Sequence, residues 1–250
     1  MAPPAGSPSE YTEPFNKAFT QMNEGIKNCV DGFNALVNKV KKWAWLLGAA
    51  ALLWIKNSLD KARKALEDIM AKLKYALEHQ TPVISLMIIS FDWIYKVKTP
   101  VSELSFTCTK PVNENLTKWT GDAASSYNTK ATQQKGAVDD CVAKAEYISQ
   151  WLFKVAKGNV EFATELAKII TGLAGKFAQA LVDASGVVTI PWAIDTLGEA
   201  VGDLVTSGLN ILLEVGNRLV DALGAVRDLA GAAGDHSKLP GGKWPEAVKG

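Results

Sequence analysis

The sequence predicts an all-α protein, an elongated bundle of long antiparallel helices with a Trp-x-Gly turn between two hairpins. Three observations carry this expectation. Apolar residues recur at steps of three and four over most of the chain, the spacing that lines one face of a helix. The one run rich in β-branched residues, 83–95, has no second segment to pair with as a strand. At Lys118-Trp119-Thr120-Gly121-Asp122 an irregular stretch gives way to a new helical pattern that Ala123, Ala124 and Tyr127 begin. There Gly121 permits a tight bend, Asp122 is expected to cap the helix, and Trp119 has a large ring to bury.

Residues 1–12, rich in proline, serine and small residues, are expected to form a flexible leader. They lack the basic and then apolar blocks of a secretory signal peptide. From Phe15 a seam runs through Phe19, Met22, Ile26, Cys29 or Val30, Phe33, Val37 and Val40. It continues through Ala44, Leu47, Ala51, Trp54, Ala62, Leu66, Ile69, Leu73 and Leu77 without a proline. This predicts one helix over 13–79, about 100 Å long at the usual rise. Thr12 would cap it and Pro14 would sit in its first turn.

Within that helix, residues 43–55 are apolar on every face, with Trp43, Trp45 and Trp54 near the margins and Lys41, Lys42 and Lys56 outside. Indole and ammonium at both margins suit a membrane interface. Thirteen helical residues, however, span roughly 20 Å against a hydrocarbon layer of roughly 30 Å. The favoured expectation is therefore a helix packed against others in a core or an oligomer, with Trp43, Trp45, Leu47, Leu53 and Trp54 at the contact. Lipid is the alternative occupant.

Pro82 stops the first run, and 83–95 reads as a buried helix that completes a first hairpin over 13–98. Residues 99–118, with Pro100 and Pro111, read as a polar, irregular loop. The second hairpin, 119–230, resumes the seam at Val138, Val142, Ala145, Ile148, Leu152 and Val155. A kink or break is expected at Gly158-Asn159, followed by Phe162, Leu166, Ile169, Leu173, Phe177 and Leu181. Residues 186–191 form a connection, and the last helix starts at Trp192. Five glycines fall in that helix, each costing about 1 kcal/mol against alanine where exposed. Gly198 and Gly202 have the small-xxx-small spacing that lets two helices approach closely. Residues 231–250 are expected to be a flexible tail, with Trp244 docking on a partner.

Chemistry is scarce. With 27 basic and 26 acidic residues, no global field recruits nucleic acid or an acidic membrane surface. Cys29, Cys108 and Cys141 show no metal-ligand spacing. Cys108 and Cys141 would be brought together if the hairpin closes, and buried thiols are the commoner outcome. His79 and His236 fall at helix ends, where a cation suits terminal carbonyls. Nucleophile elbows, zinc-protease helices and phosphate-binding glycine loops are absent, and Asp139, Asp140 and Glu146 sit among lysines as a solvated face. The expectation is a protein that is not an enzyme and holds neither metal nor cofactor.

Trp119-x-Gly121 followed by Asp122-Ala123-Ala124 and Tyr127 resembles the WxG-motif proteins exported by the type VII (ESX) secretion systems of actinobacteria, in particular their larger secretion-associated members. The likeness covers residues 119–151. It implies a chain that leaves the cell, or stays at its surface, without a cleaved signal peptide. Trp119, Gly121, Asp122 and Tyr127 would then form the recognition turn for the export machinery or a helical partner. The family also uses a tyrosine followed four positions later by an acid. None of Tyr11, Tyr75, Tyr95, Tyr127 or Tyr147 has one, which implies a partner that carries the signal. The leading expectation is a secreted binding or assembly module, able to form a homo-oligomer. Two alternatives stand beside it. One is a membrane-inserting pore or anchor built from 43–55 and 187–215, and the other is the accessory partner of a secreted toxin.

Overall fold

The computed structural model describes residues 6–78, 81–109, 114–186 and 188–246. They are almost wholly helical and contain no strand. In order, α1 is Ser9–Trp43, a 3-10 turn is Ala44–Leu46, α2 is Ala49–Glu78, and α3 is Thr81–Asp92. A π-helical turn, Trp93–Lys98, leads into α4, Thr99–Thr109, and a second 3-10 turn covers Glu114–Lys118. The long helices α5, Asp122–Asp183, and α6, Ile190–Gly234, complete the chain, followed by a short 3-10 turn at Pro240–Gly242. The all-α expectation holds. His79, Pro111 and Val187 lie outside the described residues.

The chain divides into two compact units. The first comprises Met1–Pro8, Ser85–Lys157 and Leu219–Gly250; the second comprises Ser9–Ile84 and Gly158–Arg218. The long helices α5 and α6 each contribute to both units.

In the second unit the contacts fix a register. Gly25 on α1 faces Ile170 on α5, and seven residues further along each helix Gly32 faces Phe177. A Cβ on Gly25 would lie 2.7 Å from an Ile170 methyl carbon, and one on Gly32 would lie 2.9 Å from the Phe177 Cβ. The missing side chains are what let these two helices run close together, in parallel and in heptad step. Beyond them the Lys39 ammonium donates to the Leu181 carbonyl, near the C-terminal end of α5, where the helix dipole favours a cation. Cys29 lies on the same seam, its thiol turned to the Ile170 carbonyl oxygen. Burial raises that thiol's pKa from 9.0 to about 11, so it stays protonated and unreactive. Returning along α1, α2 packs antiparallel, with the Arg63 guanidinium over the Phe33 ring. One apolar cluster joins Phe33, Leu36, Val40, Ile55, Leu59, Phe177, Ile190 and Ile194.

The first unit is held differently. Met87, Phe91, Ile94, Ala137, Val138, Ala145 and Leu152 are buried, and Phe91 meets Phe153 edge to face. Polar contacts add to this core. The Ser149 hydroxyl donates to the Ser90 carbonyl at 2.6 Å, Lys98 pairs with Glu146, and Ser105 donates to Asp139. Partners descend along α5 as they ascend through α3 and α4, so the two stretches lie antiparallel.

Several expectations are corrected. α1 begins at Ser9, so 9–12 are helix and Pro14 sits in its second turn. The helix expected over 13–79 is interrupted at 44–48. Leu47 is extended, with ψ 135, and Gly48 caps α2 by accepting from the Leu52 N–H. Residues 99–109, expected as loop, are helix. Pro100 is accommodated by the wide turn before it, in which the Ile94 carbonyl accepts both the Thr99 N–H and the Thr99 hydroxyl. No break occurs at Gly158-Asn159. The expected flexible tail starts with helix up to Gly234. Beyond it, Lys144 donates to the Asp235 carbonyl and Pro245 is buried, while Trp244 remains half exposed.

Candidate functional site

Two turns carry the residues singled out from the sequence. In the first unit, Gly121 has φ 93, a left-handed value that an L side chain resists. Its carbonyl accepts from the Ser125 N–H, so Gly121 is the cap of α5, one place earlier than expected, and Asp122 is the first helical residue. Asp122 there still complements the helix dipole. Trp119 is 44% exposed and Tyr127 43%, and their rings lie 5.9 Å apart. Trp119 is therefore not a buried anchor. It forms one half of an aromatic pair displayed at a helix start, beside a glycine with open space around its Cβ position.

In the second unit, residues 43–55 split into two groups. Trp43 and Leu47 are half-buried against the apolar cluster, and Ile55 is fully buried. Trp45, Leu53 and Trp54 are exposed. The reason is the bend: an unbroken helix would have spread these side chains over all faces, whereas the corner tucks one set under and turns the other out. Among the described residues no helix is long and apolar enough to cross a membrane, which leaves a spanning pore without a described span.

Gly198 and Gly202, expected to admit a close neighbour, are exposed with nothing within 4 Å of their Cβ positions. The close approach is made by Gly25 and Gly32. Neither belongs to the apolar seam, and their seven-residue spacing is the signal the sequence carries for them.

Asp139, Asp140 and Glu146 on α5 are paired. Hydrogen bonds from Lys135 and then Ser105 hold Asp139 below the ordinary carboxylate pKa. Asp140 sits 2.8 Å from the Lys144 ammonium, and Glu146 pairs with Lys98. These groups tie side chains together; Asp139 is exposed, as expected of a solvated face, while Asp140 and Glu146 are partly buried. All three cysteines are free thiols, so Cys108 and Cys141 do not pair. A crevice lined by Ser90, Phe91, Ile94, Ser149, Gln150 and Phe153 contains no acid, base or thiol. Among the described residues no cluster of His, Cys, Asp and Glu could hold a metal ion.

No family model, no curated protein and no solved structure matches this chain. The class is defined by the fold alone, an all-α helical protein.

Proposed function

We propose that the chain is a non-enzymatic, type VII secretion-associated protein that acts by binding, with the turn at Trp119 and Gly121 as its recognition element. The observation that carries this reading is the aromatic pair at the bend. Trp119 and Tyr127 are both exposed and in ring contact, held by a glycine whose φ of 93 fixes the local direction of the chain. An exposed indole with a rigid neighbour is an effective binding group, because it offers large contact area at small conformational cost. The antiparallel run of α3 and α4 against the first half of α5 supports the same reading, since these helices flank the turn in sequence. The chain has no tyrosine-plus-acid signal of its own, so it leaves with a helical partner that supplies one.

The test is export from an actinobacterial host with an intact type VII system. The Trp119→Ala/Gly121→Ala variant is expected to vanish from the culture filtrate while its helicity by circular dichroism is unchanged. Normal export of the double variant would reduce the motif to a turn.

A further inference from the structure

The α1–α5 register brings two corners of the second unit to one end. Gly25 stands opposite Ile170 and Gly32 opposite Phe177, and Lys39 reaches the Leu181 carbonyl. Continued by one turn, α1 ends at Trp43 and α5 at Asp183. The 44–48 corner and the connection at 184–186 and 188–189 therefore lie side by side. Trp43, Leu47, Ala184 and Ile190 share one apolar cluster beneath them.

Above that cluster the end is apolar and uncovered. Trp45 is 79% exposed, and Leu46, Leu53, Trp54 and Trp192 are exposed with it. Val188, in the second corner, is 91% exposed. Aliphatic and indole surface of this extent, gathered from two separate corners, is more than the scattered apolar residues of an ordinary surface. The charge around it has one sign on the α1–α2 side. Between Asp31 and Asp60 the chain has no acidic residue and four lysines, Lys39, Lys41, Lys42 and Lys56. Lys41, Lys42 and Lys56 are exposed, and the Lys42 ammonium lies 5.7 Å from the Trp43 ring centre. Across from them stand Asp183, which accepts from Gln179, and the exposed Asp195.

We propose that this end of the second unit docks on a phospholipid bilayer that carries anionic headgroups, inserting its two corners into the interface without crossing. Tryptophan is the side chain that settles at headgroup depth, and lysines beside it reach the phosphates while their stems stay in apolar surroundings. The corners are short, and no described helix is long and apolar enough to span, so the insertion is interfacial. The chain's net charge of +1 gives no long-range attraction. The local lysine run supplies it within a Debye length. This proposal stands apart from the secretion reading, because Trp119 and Gly121 belong to the first unit.

The full chain is mixed with phosphatidylcholine vesicles, with and without phosphatidylglycerol, and floated on a density gradient. Wild-type protein is expected to float with the anionic vesicles, its tryptophan emission shifting to the blue, and to release no entrapped dye. Trp45→Gln/Leu53→Gln changes only exposed side chains and is expected to cut the floated fraction at least about tenfold. Lys41→Gln/Lys42→Gln is expected to remove the preference for phosphatidylglycerol. Trp119→Ala should leave flotation unchanged. The proposal is overturned if wild type stays at the bottom of the gradient with both vesicle types, or if the Trp45/Leu53 variant floats as well as wild type. Dye release would overturn insertion without crossing. Self-association in vesicle-free buffer that the Trp45/Leu53 variant abolishes, with no flotation, would assign this end to a second copy of the chain and overturn the lipid assignment.

Discussion

Between α1 and α5 in the second unit, contact runs through Gly25, Gly32, Ile170 and Phe177. Between α4 and α5 in the first unit, and through the turn before α4, it runs through Ser105, Lys98, Asp139 and Glu146. The first seam depends chiefly on shape, because two glycines leave room for two bulky partners, and the Lys39 ammonium at its end meets a backbone carbonyl where the second seam has carboxylates. The second depends on protonation state and on hydrogen-bond geometry. The contrast teaches that helices of similar composition close against each other in physically different ways, and that perturbations should discriminate between them.

The largest effect is expected from Phe177→Ala. Phe177 is fully buried and meets Phe33 edge to face at 6.4 Å, so truncation should cost about 3–5 kcal/mol. Denaturant unfolding measures it, and a cost below about 1 kcal/mol would mean the seam collapses freely onto the gap. Next is the glycine pair. Gly32→Ala places a carbon 2.9 Å from the Phe177 Cβ and is expected to destabilise by about 1–3 kcal/mol. Gly198→Ala enters open space and is expected to gain up to ~1 kcal/mol. Equal effects at both sites would erase the distinction between a close-approach glycine and a merely exposed one.

The smallest effects are those of pH, and they separate the two units. Cys29 in the second unit has a raised pKa, so its unfolded thiol ionises first. Stability is flat below 9.0 and falls as pH climbs towards about 11. Asp139 in the first unit has a lowered pKa, so its contribution is present at neutral pH and is lost as pH falls through the depressed value. It is an exposed group, so this loss is small and weakens with added salt. Peptide-resolved hydrogen exchange should show α4 loosening in acid and α1 loosening in base. Asp139→Asn should flatten the first trend, and Cys29→Ala the second.

Much of the helical content was legible because apolar spacing reports directly on buried faces. The joints were less so. The seam through Ala44, Leu47 and Ala51 keeps its period across the 44–48 corner, so periodicity could not reveal the bend. The available signal was Gly48, in the middle of a run too apolar to be exposed on all sides. α4 is hidden in the sequence because Pro100 carries the signature of a helix breaker, while the π-helical turn before it absorbs the missing donor. Glycine carries no hydrophobicity, so apolar periodicity does not mark Gly25 and Gly32, while the small-xxx-small spacing marks Gly198 and Gly202, which meet no neighbour. At the candidate site, the bend at Gly121 and the identities Trp45, Leu53 and Trp54 could be read directly. Their outward direction could not, nor could the presence of Val188 and Trp192 beside them. Both follow from a register between helices more than a hundred residues apart in sequence.

The wide turn at Trp93–Lys98 also sets how the chain tolerates changes in its length. An α-helix rotates about 100° per residue, so an insertion in a regular helix swings every later side chain to another azimuth. A π-helical turn holds one residue more than its neighbours need. A one-residue deletion in this stretch can therefore be taken up by tightening it, with Ser105 kept in phase with Asp139. The same deletion in the middle of α5 has no such slack and would carry Ile170 and Phe177 away from Gly25 and Gly32.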